Sequence, residues 1–450
     1  MALRSVIVTF LLAIDLLGFY LPNPVALSMG EAMTAYAHGI NCLGYNPANL
    51  ALNEQGHINI LLASSVNFSL SNNAFSLEDY SAFAGENAGV TGKNNQGLIA
   101  ELVSDECWES FSIMNIPLFK ISFGNKAISS EYFYLTEYGL SKDFIEVLFG
   151  EMEKGRDYKY EISGNEFIGL KNGLSIGFPV GNICLGVSVY YIQGLAGIKI
   201  DPDKSNGYIK IDTSKFVISG SGSFVLDQYI GAEGFSSDIG LLFPNFFGWR
   251  IGLSIINVGG ILKLNVPTFI SMRYGEIALK KLGDSFNRRN NVSDLDFDGS
   301  TYSYEFIVRE VNGQKIIDSD SSISDFFVSK REVKKNNTTP LERIPLVLRF
   351  GVSNKWERLI LNIDLISTFG DGYLYKQGWQ LACGAEFNKV LGFPIRTGLN
   401  IGGYKGVALS VGSIVKIGFI NIDWAIAFHR GLFIHKIKGI DFGLSISINK

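Results

Sequence analysis

The sequence predicts an all-β chain: a transmembrane antiparallel β-barrel of about fourteen strands, with an N-terminal plug and a few short helices. Three observations carry this. Runs of about ten residues alternate apolar and polar side chains, the length that a tilted strand needs to cross a bilayer. Past the first residues, no run of about 18 apolar residues occurs, although 47% of the chain is hydrophobic. The composition is rich in Gly (50), Phe (33) and Tyr (19), with only 18% charged residues in 450.

The order begins with a targeting signal. Met1 to Arg4 supplies one positive charge and residues 5–21 are mostly apolar, interrupted at Asp15. Ala26 and Ser28 are small residues at −3 and −1 of a cut before Met29, so residues 1–28 are expected to be a signal peptide. An uncleaved anchor helix is the alternative; the run is short for one and ends at Pro22 and Pro24.

Residues 29–56 follow as the expected plug. Gly30, Glu31, Ala32, Ala35 and Gly39 make a run of small residues around one acid, suited to a crowded lumen, and Asn46-Pro47-Ala48 closes it. Pro47 fixes its own φ and turns Asn46 away from helix, so the motif sets how the chain leaves the plug for the first strand.

Residues 57–450 are the expected barrel. Residues 58–70 form the first strand, with a phase slip at Ser64-Ser65, and residues 71–110 are a polar loop. Residues 111–123 are a strand region broken at Pro117. Residues 141–150 read as a short amphipathic helix, with Ser141 as cap and Phe144, Val147 and Leu148 at helical spacing. Strands are expected at 167–178, 183–200, 208–225, 235–243 and 249–258, several separated by Gly-Asn, Asp-Pro or Pro-Asn turns. Residues 280–340 are polar and charged and read as a long loop or inward-folded insertion.

The C-terminal third alternates most regularly. Ile422, Trp424 and Ile426 are assigned to lipid and Asp423 to the lumen; Trp379, Leu381 and Cys383 alternate with Gln380, Ala382 and Gly384. A soluble sandwich alternates too. The polar face here, made of Gly, Ser, Asn and charges, suits a wet lumen, and aromatics recur near strand ends as an interfacial girdle does. Backbone in lipid must be paired internally, so such a sheet has to close. Arg250, Arg349 and Arg396 with Asp238, Asp364, Glu386, Asp423 and Asp441 fall on the polar face. Buried charges need partners, so this set is expected to tie barrel and plug together rather than to bind substrate.

Other chemistry is excluded or discounted. A net charge of −4 does not suit nucleic acid. Four scattered cysteines are neither a disulfide scaffold nor a zinc site, and no cofactor is expected. Cys42 and Cys107 either tie the plug to a loop or stay unpaired. Gly173-Leu174-Ser175-Ile176-Gly177 fits a nucleophile elbow but lies within a strand, and no histidine is placed as its base, so no enzyme is expected. Asp294, Asp296, Asp298 and Glu305 fit a calcium-loop pattern. Residues 304–309 read as strand rather than helix, which favours a plain turn at Asp298-Gly299. Asn336-Asn337-Thr338 matches a glycosylation acceptor, without meaning in a bacterial outer membrane.

GEAMTA at residues 30–35 with YNPANLA at 45–51 resembles the N-terminal signature of FadL-type outer-membrane transporters and PorV-like barrels. GFSSDIGLLF at 234–243 with LSIINVGG at 253–260 looks like their mid-barrel hairpin, and YYIQGLAGIKI at 190–200 is similar to an uncharacterised branch of the superfamily. The likeness runs patchily from Gly30 to the end. It departs at His38-Gly39, where the family carries acids, and at Lys450, where an aromatic residue usually ends the chain. The resemblance implies a monomeric fourteen-stranded barrel with a hatch, in the outer membrane. It implies passage of hydrophobic or amphipathic small molecules, or, in the PorV-like branch, a non-transporting scaffold for secretion-complex proteins. Its partners would be outer-membrane lipid and either a hydrophobic ligand or those proteins, with no nucleic acid.

Overall fold

The computed structural model describes residues 23–52, 58–79, 102–103, 107–149, 156–212, 217–290, 297–312, 327–335, 338–370, 378–390, 393–403, 405–431 and 433–450. The expected signal segment before Asn23 lies outside them.

Among the described residues one antiparallel sheet of 18 strands closes on itself. The strands are β1 (Ile58–Asn72), β2 (Cys107–Phe123), β3 (Lys126–Ser141), β4 (Asp157–Val180), β5 (Ile183–Ile200), β6 (Asn206–Asp212), β7 (Val217–Phe246), β8 (Trp249–Leu264) and β9 (Ser300–Asn312). They continue as β10 (Phe327–Lys335), β11 (Leu341–Arg343), β12 (Leu346–Lys355), β13 (Leu359–Phe369), β14 (Gly378–Val390), β15 (Phe393–Gly402), β16 (Val407–Ile417), β17 (Ile420–His429) and β18 (Gly439–Asn449). Fourteen of the eighteen close the circuit: β8 pairs with β12, β5 with β7, and β18 returns to β1, so β6, β9, β10 and β11 stand outside it. The expected barrel of about fourteen strands is the observed one. Closure removes sheet edges, which a lipid environment demands.

One rim carries tight turns, where Phe123 faces Lys126, Val180 faces Ile183 and Phe246 faces Trp249. The other rim carries long connections and two helices, α2 (Lys142–Phe149) and α3 (Phe269–Asn290). In barrels of this type the short turns are periplasmic and the long loops extracellular.

The two faces differ in chemistry. Leu62, Leu174, Val189, Leu365, Val411, Trp424 and Leu444 are exposed on the outer wall, while Asn59, Lys171, Ser188, Asp364, Ser410, Asp423 and Ser445 are buried toward the lumen. An exposed apolar outer wall around a polar interior is the transmembrane pattern. The phase slip at Ser64-Ser65 is a register shift of β1 against β18 between Leu61 and Ser65. β1 also slips against β2 between Leu62 and Asn67, and β2 against β3 between Pro117 and Phe119. Pro117 has no N–H to give to a ladder.

Three expectations need revision. The strand expected at 208–225 is split: β6 turns back on β7, pairing Asp212 with Val217, and β7 then runs unbroken through the expected strand at 235–243. The residues between those two expected strands are extended as well: Asp227, Gln228 and Glu233 pair with Lys199, Ile198 and Gln193 of β5, and Gly231 takes φ +84°. β3 is a further strand, between the expected strand at 111–123 and α2. The segment 280–340 holds the end of α3 and the β9–β10 hairpin, which extends β7 above the barrel instead of folding inward.

Candidate functional site

Residues 23–52 lie within the barrel. α1 (Pro24–Ser28) starts at Asn23, whose Oδ1 accepts the Ala26 N–H at 2.9 Å, and Pro24 sits in its first turn. α1 rests on β15 to β18. A 3-10 turn at Gly39–Cys42 lies on β1 and β2, and a second at Pro47–Leu52 lies on β4, β5 and β7, across the lumen from α1. The segment is folded on itself at Thr34. The Thr34 carbonyl accepts Asn46 Nδ2 at 2.9 Å and Asn49 Nδ2 at 3.2 Å, while Asn46 Oδ1 accepts the Ala48 N–H at 3.1 Å. Asn46 Nδ2 also reaches the Leu241 carbonyl of β7 at 3.2 Å. With Pro47 fixing the next φ, the Asn-Pro-Ala motif is an Asx turn clamped to the wall.

Three groups of charges join this segment to the barrel. In the first, Asp364 Oδ2 of β13 accepts the N–H groups of Met33 (2.9 Å) and Thr34 (2.8 Å) and the Thr34 hydroxyl (2.6 Å). Arg349 of β12 pairs with Asp364 at 3.4 Å, donates to the Glu31 carbonyl at 2.7 Å and lies 5.0 Å from the Tyr45 ring centre. In the second, Arg396 bridges Glu386 and Asp423, each at 2.7 Å, and the Tyr36 hydroxyl donates to Glu386 at 2.8 Å. In the third, Lys405 pairs with both Glu31 and Asp441, and His429 Nε2 stands 2.8 Å from Asp441. All these groups are buried, so each charge depends on its partner.

Six inward glycines complete the seat. A methyl group on Gly186 would overlap the main chain at Ala48, one on Gly240 the Asn46 amide, and one on Gly398 the main chain of Gly30. On Gly177, Gly252 and Gly384 it would come within 2.7 Å of Ala51 N, 2.5 Å of Thr34 O and 2.5 Å of Met29 O. Ala32 packs on Ile256, Val347 and Ile366, and Ala35 with Ala48 on Cys184 and Leu242. Gly39 faces Asn59 and Ser122 at the foot of β1 and β2.

Above this layer the lumen turns apolar. Phe111, Ile113, Phe133, Leu135, Phe167 and Ile192 form a buried cluster on inward positions of β2 to β5, with Phe133 and Phe167 ring centres 5.8 Å apart. Beside it is a cavity of 370 Å³ lined by Phe111, Ile366, Thr368, Gln380 and Arg430. Gln380 donates to Glu31 at 3.0 Å, so the cavity reaches the N-terminal segment. A second cavity, of 130 Å³, lies on the turn side against Tyr36, His38, Glu386 and Arg396.

No protein-family model and no curated protein sequence matches this chain. Solved structures do. The TodX deltaS2S3 mutant monoaromatic hydrocarbon channel superposes with a TM-score of 0.51 at 11% identity, over 95% of this chain and 98% of that one. The chain shares the fold of that channel. The Ralstonia pickettii toluene transporter TbuX covers 97% of this chain and 99% of its own at 14% identity, with a TM-score of 0.47. A Pseudomonas aeruginosa FadL homologue covers 96% and 100%, also at 14% and 0.47.

Within this barrel, two of the named charges stand apart from the three groups. Asp238 of β7 accepts the Asn257 N–H at 3.0 Å and faces Lys171 and Tyr190 on the β4–β5 wall. Arg250 lies near the turn rim of β8, opposite Ser353. Sequence reading passed over Lys120, paired with Glu131 at 2.8 Å, Lys171, 4.1 Å from the Tyr190 ring centre, and Lys405, Tyr36 and Thr34. Lys120 and Lys171 occupy inward positions of otherwise alternating strands, the signal that could have found them.

Cys42 and Cys107 form no disulfide with each other. Gly39–Cys42 lies at the Ser122 end of β2 and Cys107 begins that strand at the other rim, roughly 50 Å of extended chain away. Of the calcium-loop residues, Asp294 and Asp296 lie outside the described residues. Asp298 Oδ1 accepts the Ser300 N–H and the Tyr302 hydroxyl, both at 3.0 Å, and Glu305 is exposed on β9 opposite Lys330. Residues 298–299 lead into a strand, not into the helix a calcium loop requires.

Proposed function

We propose that this chain is an outer-membrane channel that takes up hydrophobic or amphipathic small molecules, with residues 23–52 as its plug. The observation that carries the reading is the change of chemistry along the lumen. An aqueous pore is polar throughout. Here the lumen opposite the plug is walled by Phe111, Phe133, Phe167 and Ile192, next to a cavity of 370 Å³ that ends at Gln380 and Glu31. An apolar solute gains about 25 cal/mol for each Å² it removes from water, so such a wall holds it.

One feature supports the closed, plugged state as the resting one, and a second indicates where the wall can open. The charges of the tie groups are paired within the protein, as a structural network requires. The wall itself is irregular at one height, where β1 slips against both β18 and β2, and β2 slips at Pro117. Those slips leave fewer ladder bonds to break if the wall opens there.

The test is uptake. Vesicles holding the purified protein should take up an apolar aromatic, read by an entrapped reporter, faster than empty vesicles. Phe133→Asp should slow uptake in a barrel that still shows heat-modifiable migration. Uptake no faster than in empty vesicles would remove the transporter reading and leave the scaffold.

A further inference from the structure

Glu31 is held in a conformation that its own side chain disfavours. Its φ is +74°, in the left-handed region, where a side chain crowds the backbone; Gly30 before it, at +60°, has no such cost. Among the described residues, the other non-glycine positions of this kind are Phe247 in the β7–β8 turn, Asn257 where β8 slips against β7, Asn265 just past β8, and Arg430. Arg430 lines the 370 Å³ cavity, and Glu31 lies behind Gln380 of the same lining. Strain of this sort persists only where the surroundings over-determine it, and it gathers at clamps and switches.

Glu31 is held at four points. Its N–H donates to the Ala26 carbonyl at 2.8 Å, and its carbonyl accepts Arg349 at 2.7 Å. Its Oε2 accepts Gln380 Nε2 at 3.0 Å, and its Oε1 pairs with Lys405. The two side-chain holders come from the cavity side. A methyl group on Gly403 would stand 3.2 Å from Gln380 Oε1, so Gln380 lies between the β15–β16 connection and Glu31. Lys405 belongs to that same connection. Gly402, Gly403 and Gly406, at φ +96°, +63° and +63°, turn it back into the lumen, where Lys405 is buried and also pairs with Asp441 at 2.8 Å. Gly402 and Gly403 line the cavity too. Whatever fills the cavity therefore presses on Gln380 and on the connection that carries Lys405.

The lining selects what can act there. Phe111, Ile366 and Trp379 offer an apolar side, and Gln380 a hydrogen-bonding end. A hydrocarbon that pushed Gln380 aside would leave a buried carboxylate oxygen without its donor, a costly exchange. A hydroxyl can donate to that oxygen in place of the Gln380 amide.

We propose that Glu31 is a strained latch of the plug, opened by a solute with an aromatic body and a hydroxyl end that takes the place of Gln380 at Glu31. With Gln380 displaced and the β15–β16 connection moved together with Lys405, Glu31 relaxes out of the left-handed region and loosens Ala32 from its seat on Ile256, Val347 and Ile366. This rests on residues 23–52 being the plug of an uptake path, and it adds which solutes open that path and through which residue.

The test reads how fast a membrane-impermeant maleimide labels Ala32→Cys in vesicles. Cys42→Ala, Cys107→Ser, Cys184→Ala and Cys383→Ser form the background, and folding is checked by heat-modifiable migration. p-Cresol is expected to raise the rate several-fold at a concentration where toluene, the same ring without the hydroxyl, changes it little. Filling the cavity with Thr368→Trp should remove that response. Lys405→Met should label fast with no solute present. Lys405→Met with Glu31→Gly should then label more slowly than Lys405→Met with Glu31→Gln, because both lose the charge but only glycine is at ease at φ +74°. An equal response to the two solutes, a p-cresol response that survives Thr368→Trp, Lys405→Met labelling at the parent rate, or equal labelling of the two double variants would overturn the proposal. Uptake of p-cresol no faster than in empty vesicles would remove the uptake reading with it, whereas uptake without faster labelling would overturn the latch alone.

Discussion

Arg349, fixed on β12, donates to the main-chain carbonyl of Glu31 at 2.7 Å while its carboxylate partner, Asp364 on β13, accepts the next main-chain N–H groups at Met33 and Thr34. One buried ion pair therefore grips both polarities of the same stretch of backbone. Breaking a buried pair by removing one partner costs about 3–5 kcal/mol, because the other charge is left uncompensated. Arg349→Ala is expected to lower stability in urea unfolding by about that much and to raise conductance. A loss below about 1 kcal/mol, the scale of a surface pair, would contradict the tie.

The glycine seat predicts a different effect. Gly186→Val and Gly398→Val are on strands that accept a side chain, but the new side chain would occupy the main-chain position of Ala48 or Gly30. Both variants are expected to form heat-modifiable barrels with a protease-sensitive N-terminal segment. Protection equal to wild type would mean that these glycines do not seat it.

The two faces of β17 give a third expectation. Trp424 is 37% exposed on the outer wall, and Asp423 is buried against Arg396. Trp424→Arg, near mid-strand, should cost about 2–4 kcal/mol on folding into vesicles, while Trp424→Leu should be tolerated. Equal tolerance of Arg and Leu would reject the assignment of faces.

A fourth concerns the mature N-terminus. Asn23 caps α1, and Val25, Ala26 and Leu27 are buried on the barrel wall, although residues 24–28 precede the cut read from Ala26 and Ser28. Losing them would open a gap beside Ala425 and Ala427. Mass spectrometry of protein from outer membranes is expected to find a cut ahead of Asn23; a start at Met29 would contradict this.

Much of the fold is readable because its two environments impose a strict period of two. Ile422, Trp424 and Ile426 against Asn421 and Asp423 announce a strand with one face in lipid and one in a polar lumen. The period fails where packing is two-sided. Residues 226–234 of β7 fall between two expected strands because Asp227, Gln228 and Gly231 give no apolar alternation, whereas β5 supplies the pairing that keeps them extended. α3 escapes notice because its buried stripe includes Ser271 and Gly275, too small to raise an apolar signal. At the site, Arg349, Asp364, Glu386, Arg396, Asp423 and Asp441 are legible as inward charges. Their partners are not, since Thr34 and Asp364 are 330 positions apart and only barrel closure brings them together.

The account rests on residues 23–52 acting as a plug, and single-channel conductance of a protein lacking residues 30–43 tests it most directly. Strand pairing among the fourteen barrel strands does not involve those residues, so the deletion is expected to leave a heat-modifiable barrel. Its lumen would be open from the cavity at Gln380 to the one at Tyr36, and its conductance well above wild type. A folded barrel with unchanged conductance would contradict the account.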